Sequence, residues 1–269
     1  MKKTLIALSM IFMVACGNRT NKQGSDEEVN FSWDFSQPKN IIYSYTQEVE
    51  ADFKMDKEGA SDKTKMWGDG QLKVQVKDSK LADLSISDFE IKMVSFGKDD
   101  TPGDTTTQTS GISVVQDMNA DGSFAAHSDV IFNMLFPLPK KNIGLNDTDE
   151  IPLQMPFNVS GSRLVSKGQI TLSFLKYGEL DGRSCAIFKG EIDISKLDIP
   201  EELNGEYRSS TTGTGTYYFD VDNGYYLGSD VEMIMYNLID TGSEDEYDFG
   251  FGETSSKNIF KIRFQEVEE

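Results

Sequence analysis

The sequence predicts a mainly β protein built on a curved antiparallel sheet, folded as a half-barrel or a barrel-like sandwich, with one or two short helices. Three observations predict it. Apolar and polar residues alternate with period two in many segments, which is typical of strands with one buried face. Dipeptides that favour tight turns separate these segments. Strands and helices do not alternate along the chain, so a parallel α/β sheet is not expected.

Alternating apolar residues mark the clearest strands. Between Ile86 and Phe89 the alternation changes phase, which indicates a bulge or bend at Ser87-Asp88. The five clearest runs are Leu72, Val74 and Val76; Ile170, Leu172 and Phe174; Phe188, Ile192 and Ile194; Tyr217, Phe219 and Val221; and Phe260, Ile262 and Phe264.

Turns and loops are predicted between the strands. Asp121-Gly122, Asp181-Gly182 and Asn223-Gly224 have the composition of hairpin turns. Residues 99–109 are rich in Asp, Pro, Gly and Thr, and residues 240–253 are acidic and Gly-rich. Both segments are therefore expected to be loops.

Helical signals are sparse. Residues 128–135 could form a short helix that ends before Pro137, and residues 195–203 could form another turn or two. Gly68-x-Gly70 and Gly213-x-Gly215 each open an alternating strand. This echo suggests two related halves, residues 31–127 and 128–269, although matches this short also arise by chance.

The N-terminus has the features of an export signal. Lys2 and Lys3 precede an apolar stretch at residues 5–14, which is shorter than the roughly 20 residues of a membrane span. Small Ala15 comes directly before Cys16. This segment resembles the lipobox of bacterial lipoproteins, in which the cysteine is lipidated and becomes the first residue. An ordinary cleaved signal is the alternative.

The resulting organisation has three parts. Residues 1–15 are a lipoprotein signal peptide, residues 16–30 a polar tether from the lipidated Cys16, and residues 31–269 a single β-rich domain. Lipid chains would hold the protein at a membrane without any help from its charge.

Composition excludes several function classes. With 26 Lys and Arg against 45 Asp and Glu, the net charge is −19. Loss of Lys2 and Lys3 with the signal makes the mature chain −21. Nucleic acid is therefore not an expected partner, because phosphate binding needs a basic surface. Two Cys and one His cannot form a disulfide framework or a Cys/His zinc cluster.

A set of motifs in residues 128–236 resembles an uncharacterised family of Bacteroidota lipoproteins, the domain of unknown function 6263. The resemblance implies an envelope lipoprotein with a curved β-sheet, similar to carriers of lipids or lipoproteins, and it brings no catalytic residues. Leu145-Asn146-Asp147 departs from the family pattern. The motifs are Phe136-Pro137-Leu138-Pro139, Ile143-Gly144, Asp181-Gly182-Arg183, Cys185-Ala186 and Gly213-x-Gly215-x-Tyr217-x-Phe219-Asp220, followed by Gly224.

Catalysis is not expected from this sequence. The single histidine, His127, lies near Ser123 and Ser128 without the frame of a nucleophile, and a turn histidine is the simpler interpretation. Cys185 lies on a predicted strand, where a small buried hydrophobic role is expected.

Calcium is the only cofactor that the sequence suggests. Asp117, Asn119 and Asp121 precede Gly122 with the spacing of the first half of a calcium loop. The second half does not follow, because Ser128 stands where the loop needs a glutamate. An ordinary hairpin turn is the alternative, and no other metal or cofactor is expected.

Methionine and phenylalanine content suggests a binding function. Such residues together can line a pliable apolar concavity that holds a hydrophobic or lipidic ligand. Ordinary core packing is the alternative. The candidate lining residues are Met93, Phe132, Phe136, Met155, Phe174, Phe219 and Met233.

The sequence therefore predicts a non-catalytic, lipid-anchored lipoprotein of the bacterial cell envelope, with the outer membrane the favoured location. A hydrophobic ligand or an envelope protein is the expected partner. The alternative function is a structural or protein-interaction module at the envelope or cell surface. The side of the membrane on which the domain lies stays open.

Overall fold

A computed structural model of the chain describes residues 28–57, 59, 61–97, 101–109, 113–124, 130–159, 162–201, 203–242 and 250–268. The predicted signal peptide, Cys16 and most of the tether lie outside these residues. The elements in chain order are β1 (Lys39–Lys54), β2 (Asp62–Val76), β3 (Ala82–Phe96), β4 (Pro102–Thr109), β5 (Ser113–Met118), α1 (Val130–Leu135), β6 (Thr148–Val159), β7 (Ser162–Leu180), β8 (Arg183–Asp198), β9 (Glu206–Asp220), β10 (Tyr225–Asp240) and β11 (Phe251–Glu268).

All eleven strands belong to one antiparallel sheet, which confirms the predicted fold class. Its order is β4-β3-β2-β1-β11-β10-β9-β8-β7-β6, with β5 also paired to β3. The sheet is curved and open, since the described parts of β4 and β6 do not pair with each other. Strands before α1 form one side of the sheet and strands after it form the other, and they meet where β1 pairs with β11.

Residues that pair directly across neighbouring strands place their side chains on the same face of the sheet. One such row crosses six strands and carries mostly buried aromatic and aliphatic side chains. We call the face that bears this row the inner face and the opposite one the outer face. The row consists of Tyr45, Ile262, Ser229, Tyr217, Phe188 and Phe174.

Irregular strand pairing curves the sheet. The predicted bulge at Ser87-Asp88 is confirmed, because the register between β2 and β3 shifts there and Asp88 has a φ of 51°. A second shift occurs at Gly168 between β7 and β8. A Cβ at Gly168 would lie 1.9 Å from the carbonyl oxygen of Asp193, so only glycine permits this close approach.

In each of the two Gly-x-Gly motifs an aromatic ring covers at least one glycine on the inner face. A Cβ on Gly215 would lie 2.2 Å from the hydroxyl oxygen of Tyr217, and one on Gly68 would lie 2.4 Å from the ring of Phe89. Each motif therefore provides a shallow site into which an aromatic ring from the same face packs.

The three predicted hairpin turns are confirmed. Asp181-Gly182 joins β7 to β8 as a two-residue turn in which both residues have positive φ, 50° and 76°. Asn223-Gly224 ends the turn between β9 and β10, and Asp121-Gly122 lies in the turn that follows β5.

Several predicted boundaries are wrong. Residues 102–109 form β4 instead of a loop, and residues 251–253 already belong to β11. Residues 195–198 continue strand β8, so no helix forms there. In each case the backbone pairs with a neighbouring strand that local composition does not reveal.

Helix α1 confirms the first predicted helix over the residues that the structure describes. It spans Val130–Leu135, and residues 128 and 129, where the predicted helix begins, lie outside the described residues. The amide of Phe136 donates to the carbonyl of Phe132 at 2.9 Å, and Pro137 follows. Proline disfavours helical geometry in the preceding residue, so the helix ends there.

Candidate functional site

The inner face is occupied by the chain itself. Residues 29–35 run across it and are held by backbone hydrogen bonds at both ends. The amides and carbonyls of Val29 and Ile143 bond each other at 3.0 and 3.1 Å, and the amide of Trp33 donates to the carbonyl of Ala120 at 2.8 Å. The position predicted for a ligand is thus filled by this segment and by the α1 region.

Aromatic side chains of residues 29–35 pack into the sheet. The ring of Phe31 is 2% exposed and makes edge contacts with three rings of the inner face. Its centroid lies 5.4 Å from Phe174, 4.8 Å from Phe188 and 5.8 Å from Phe219. Edge-to-face pairs of this kind contribute beyond their buried area.

Two tyrosines of the sheet bind the backbone around α1. The hydroxyl of Tyr217 donates to the carbonyl of Met134 at 2.9 Å, and the hydroxyl of Tyr226 donates to the carbonyl of Pro137. Burial raises the pKa of both tyrosines, so they remain protonated donors. These bonds satisfy two carbonyls that the short helix and its following proline leave without helical partners.

The structure brings five of the seven predicted lining residues together in one packed core. The residues that are at most 5% exposed are Phe132, Phe136, Phe174, Phe219 and Met233. They contact other side chains of the chain, as the core-packing alternative expects. Met155 is half-buried against the same core.

Met93 is the exception among the predicted lining residues. It is 38% exposed and lies outside the core. On β3 it is one strand from the edge of the sheet, and its neighbour on β4 is the exposed Thr106. The prediction that Met93 lines a buried concavity is corrected, because no described element covers this end of the inner face.

Sequence reasoning missed the segment that fills the inner face. Phe31, Trp33 and Phe35 are each at most 4% exposed. They alternate with polar residues directly after the tether, and that spacing was a usable signal for a buried extended segment. Trp33 Nε1 and the hydroxyl of Tyr43 are buried without hydrogen-bond partners among the described residues.

The candidate calcium ligands do not converge. The carboxylate of Asp117 accepts from the Lys77 ammonium at 2.6 Å, whereas that of Asp121 accepts from the amide and hydroxyl of Ser123 at 2.9 and 2.6 Å. Asn119 donates its side-chain amide to Ser123 as well. Each group has a partner within the protein, and the segment forms a turn closed by the Met118–Phe124 bridge, as the hairpin alternative expects.

Burial acts to raise the pKa of Asp121, but the hydrogen bonds from Ser123 outweigh burial and lower it. In the described part of the chain, no three His, Cys, Asp or Glu side chains are grouped as a metal site would require. His127 lies outside the described residues.

Asp34 anchors the end of the inner segment. Its amide donates to the carbonyl of Gly224 at 2.7 Å, and its carboxylate pairs with the ammonium of Lys39 at 2.8 Å. The hydrogen bond from Lys39, followed by that from Ser36, lowers the pKa of Asp34 from 3.8 to about 2.

We therefore expect Asp34→Asn to lower the free energy of unfolding near neutral pH by up to about 1 kcal/mol, since the pair is partly exposed. Because the pKa of Asp34 is lower in the folded chain than its ordinary value of 3.8, ionised Asp34 stabilises the fold at pH values above 3.8. This contribution disappears as the pH falls through about 2. Urea titrations of wild type and variant across this range measure it. A deficit that does not shrink in acid would contradict the assignment.

Cys185 is buried, at 2% exposed, as the sequence predicts. Burial, followed by the charges of Asp220 and Glu179, raises the pKa of its thiol to about 11. The thiol therefore stays protonated at neutral pH.

We expect the mature chain carrying Cys16→Ser to react negligibly with a disulfide reagent such as Ellman's reagent while folded. It should release one thiol equivalent in denaturant. Rapid stoichiometric reaction of the folded chain would show that Cys185 is accessible after all.

The outer face carries paired charges. Lys65 and Glu50 lie 2.6 Å apart on neighbouring strands, and Lys257 and Glu232 lie 2.8 Å apart. A groove of 340 Å³ on this face is lined by both signs of charge, including Lys189 and Asp230. A surface of this type faces water and provides no dry pocket for an apolar ligand.

No described helix is long and apolar enough to cross a membrane.

Comparison with known proteins places the chain in no family. No family model and no curated protein matches it. Among solved structures, OccK7 (OpdD) of Pseudomonas aeruginosa is similar at 9% identity and a TM-score of 0.27, over 86% of this chain and 99% of that one. A domain from Vibrio parahaemolyticus, described as an outer membrane lipoprotein-sorting protein, has 9% identity and a TM-score of 0.11 over 84% of each chain. Similarities this weak carry no functional argument.

Proposed function

We propose that the protein is a non-catalytic, lipid-anchored lipoprotein of the bacterial cell envelope that works by contact with other proteins. The observation that carries this proposal is the filled inner face. Residues 29–35 and α1 occupy the position where a carrier would hold its ligand. The remaining surfaces are the charged outer face, the edges of the sheet and the uncovered end of the inner face near Met93. The outer face and the edges suit protein contacts.

Support for the anchor comes from the sequence. The n-region, apolar stretch and Ala15-Cys16 junction resemble a lipoprotein signal, and the motifs of residues 128–236 resemble an envelope lipoprotein family. The described domain needs no membrane-binding surface of its own, because lipid chains at Cys16 supply the affinity. The outer membrane is the location we propose for it.

Site-specific photo-crosslinking in living cells tests the proposed function. A photoreactive amino acid at exposed Thr107 or at exposed Ile234 should give discrete crosslinked protein products. The same probe at buried Phe188 should give none and serves as the matched control. Absence of any protein product from exposed positions of both faces and both edges would contradict the proposal.

A hydrophobic ligand is a second candidate, because one part of the inner face is less filled. Met66 and exposed Met93 pair directly across β2 and β3. The same row continues through Val49 to Asn258, a buried polar side chain. Apolar side chains beside a single polar group are typical of small-molecule sites.

The fluorescent apolar probe N-phenyl-1-naphthylamine tests this second candidate. Binding at the methionine row predicts fluorescence enhancement by wild type that Met66→Gln with Met93→Gln removes. Trp67→Gln is the control, since Trp67 is similarly exposed, at 42%, and lies on the opposite face. Equal enhancement by all three proteins would remove this candidate.

A further inference from the structure

The two edges of the open sheet differ in how they are protected. The edge strand β6 contains Pro152 and Pro156, which pair opposite Gln169 and Val165 of β7. Proline lacks the amide that an added strand would need, and prolines on an edge prevent pairing with another chain. The β6 edge is therefore blocked.

The opposite edge has no comparable protection among the described residues. Strand β4 pairs with β3 on one side, and no described residue pairs with its other side. All eight of its residues are exposed. Beyond Pro102 at its start it contains no proline, and it has no lysine. Its free amides and carbonyls offer a ready template for one more strand.

Charge and composition indicate what kind of strand fits. Asp104 is the only charged residue of β4, in a chain whose net charge is −19. The run from Thr105 to Thr109 is uncharged, and four of its five residues are threonine. Threonine favours extended structure, and cross-strand threonine pairs stabilise antiparallel strands.

We propose that β4 pairs antiparallel with β4 of a second copy of this chain. A two-fold axis near Thr107 would place Thr105 of each copy opposite Thr109 of the other. Threonine then meets threonine at Thr105–Thr109 and at Thr107, Thr106 meets Gln108, and no charged side chain in these pairs faces one of the same sign. The inference rests on the proposed function, because it names one protein partner for the proposed contacts. The pairing itself involves only residues of β4.

The salt dependence of dimerisation distinguishes this contact from an interface held by ion pairs. Two copies of a strongly acidic chain repel each other at long range, and added salt screens that repulsion. Backbone pairing of uncharged strands has no attractive charge for salt to weaken. Dimerisation should therefore strengthen several-fold between low and high salt, whereas an interface of ion pairs would weaken.

Analytical ultracentrifugation of the mature chain with Cys16→Ser tests the proposal through a charge swap. Thr105, Thr107 and Thr109 share one face of β4, so in the register centred on Thr107 three lysines there would oppose three lysines of the other copy. We expect the triple Lys variant and the triple Glu variant each to dimerise at least about tenfold more weakly than wild type. Their equimolar mixture should dimerise again.

The blocked edge provides the converse experiment. Replacing Pro152 and Pro156 by Thr gives β6 the missing amides, and we expect assemblies larger than dimers. Circular dichroism checks that every variant retains its β-structure. Wild type that stays monomeric at about 0.5 mM in high salt, or Lys and Glu variants that dimerise as well as wild type, would overturn the proposal. If Thr107 then crosslinked to a different protein, the proposed function would be supported and self-association through β4 would be excluded.

Discussion

Replacing Phe136 with Ala is expected to lower the free energy of unfolding by about 3–5 kcal/mol. Phe136 is 1% exposed and joins the α1 region to the rest of the core. Its ring centroid lies 5.8 Å from Trp33 of the inner segment, 5.4 Å from Tyr43, 5.1 Å from Phe132 and 5.0 Å from Tyr226. Truncation would remove these contacts and leave a cavity. The surrounding backbone cannot move in to fill it, because hydrogen bonds hold residues 29–35 and the α1 region in place.

Urea unfolding followed by circular dichroism measures this loss. Leu175→Ala is the control, because Leu175 is 42% exposed and surface substitutions usually change stability by less than about 0.5 kcal/mol. A cost below about 1 kcal/mol for Phe136→Ala would show that the α1 region does not pack into the sheet.

Cys16→Ser is expected to abolish lipid attachment completely. If Cys16 carries the acyl chains, serine in its place leaves no thiol to modify. Each buried methylene contributes about 0.8 kcal/mol to membrane affinity, so the loss of two or more chains removes most of the anchoring energy. Metabolic labelling with an alkynyl palmitate, followed by dye coupling, should show a labelled wild type and an unlabelled variant.

The second cysteine provides the matched control for this experiment. Cys185 is buried in the domain, so Cys185→Ser should leave labelling unchanged. Retained label in Cys16→Ser, or lost label in Cys185→Ser, would contradict the lipoprotein assignment. An unlabelled wild type would favour an ordinary cleaved signal.

Local sequence was sufficient to predict several of the strands and the three hairpin turns. Leu72, Val74 and Val76 are buried on one face as their alternation predicts, and the phase change near Ser87-Asp88 marks a real bulge. Period-two patterns indicate which face of a strand is buried, and turn dipeptides indicate residues with positive φ. Both signals are local, so they can be recognised in the sequence without knowledge of the tertiary fold.

Prediction failed where pairing partners decide the structure. Strand β4 begins with Pro102, Gly103 and Asp104 and is otherwise Thr and Gln, so its composition indicates a loop, yet it pairs with β3 from Glu90 to Phe96. Residues 195–198 extend β8 because β7 continues beside them. Strand propensity depends on the neighbouring strand, which the sequence of one segment does not contain.

The candidate site shows the same limit for side chains. Phe132, Phe174 and Met233 suit either the lining of a cavity or a packed core, because both need apolar, adaptable residues. What distinguishes the two is whether another segment fills the space. Here Phe31 and Trp33 do so from a part of the chain more than 90 residues away from α1 in sequence, and that long-range contact is visible only in the structure.

Native mass spectrometry of the full lipoprotein, purified in detergent from its host, tests the central claim that the chain fills its own inner face. We predict that the native mass equals that of the polypeptide with its covalent lipid, in agreement with the mass measured after denaturation. A reproducible extra mass of one apolar molecule per chain, lost on denaturation, would contradict the account.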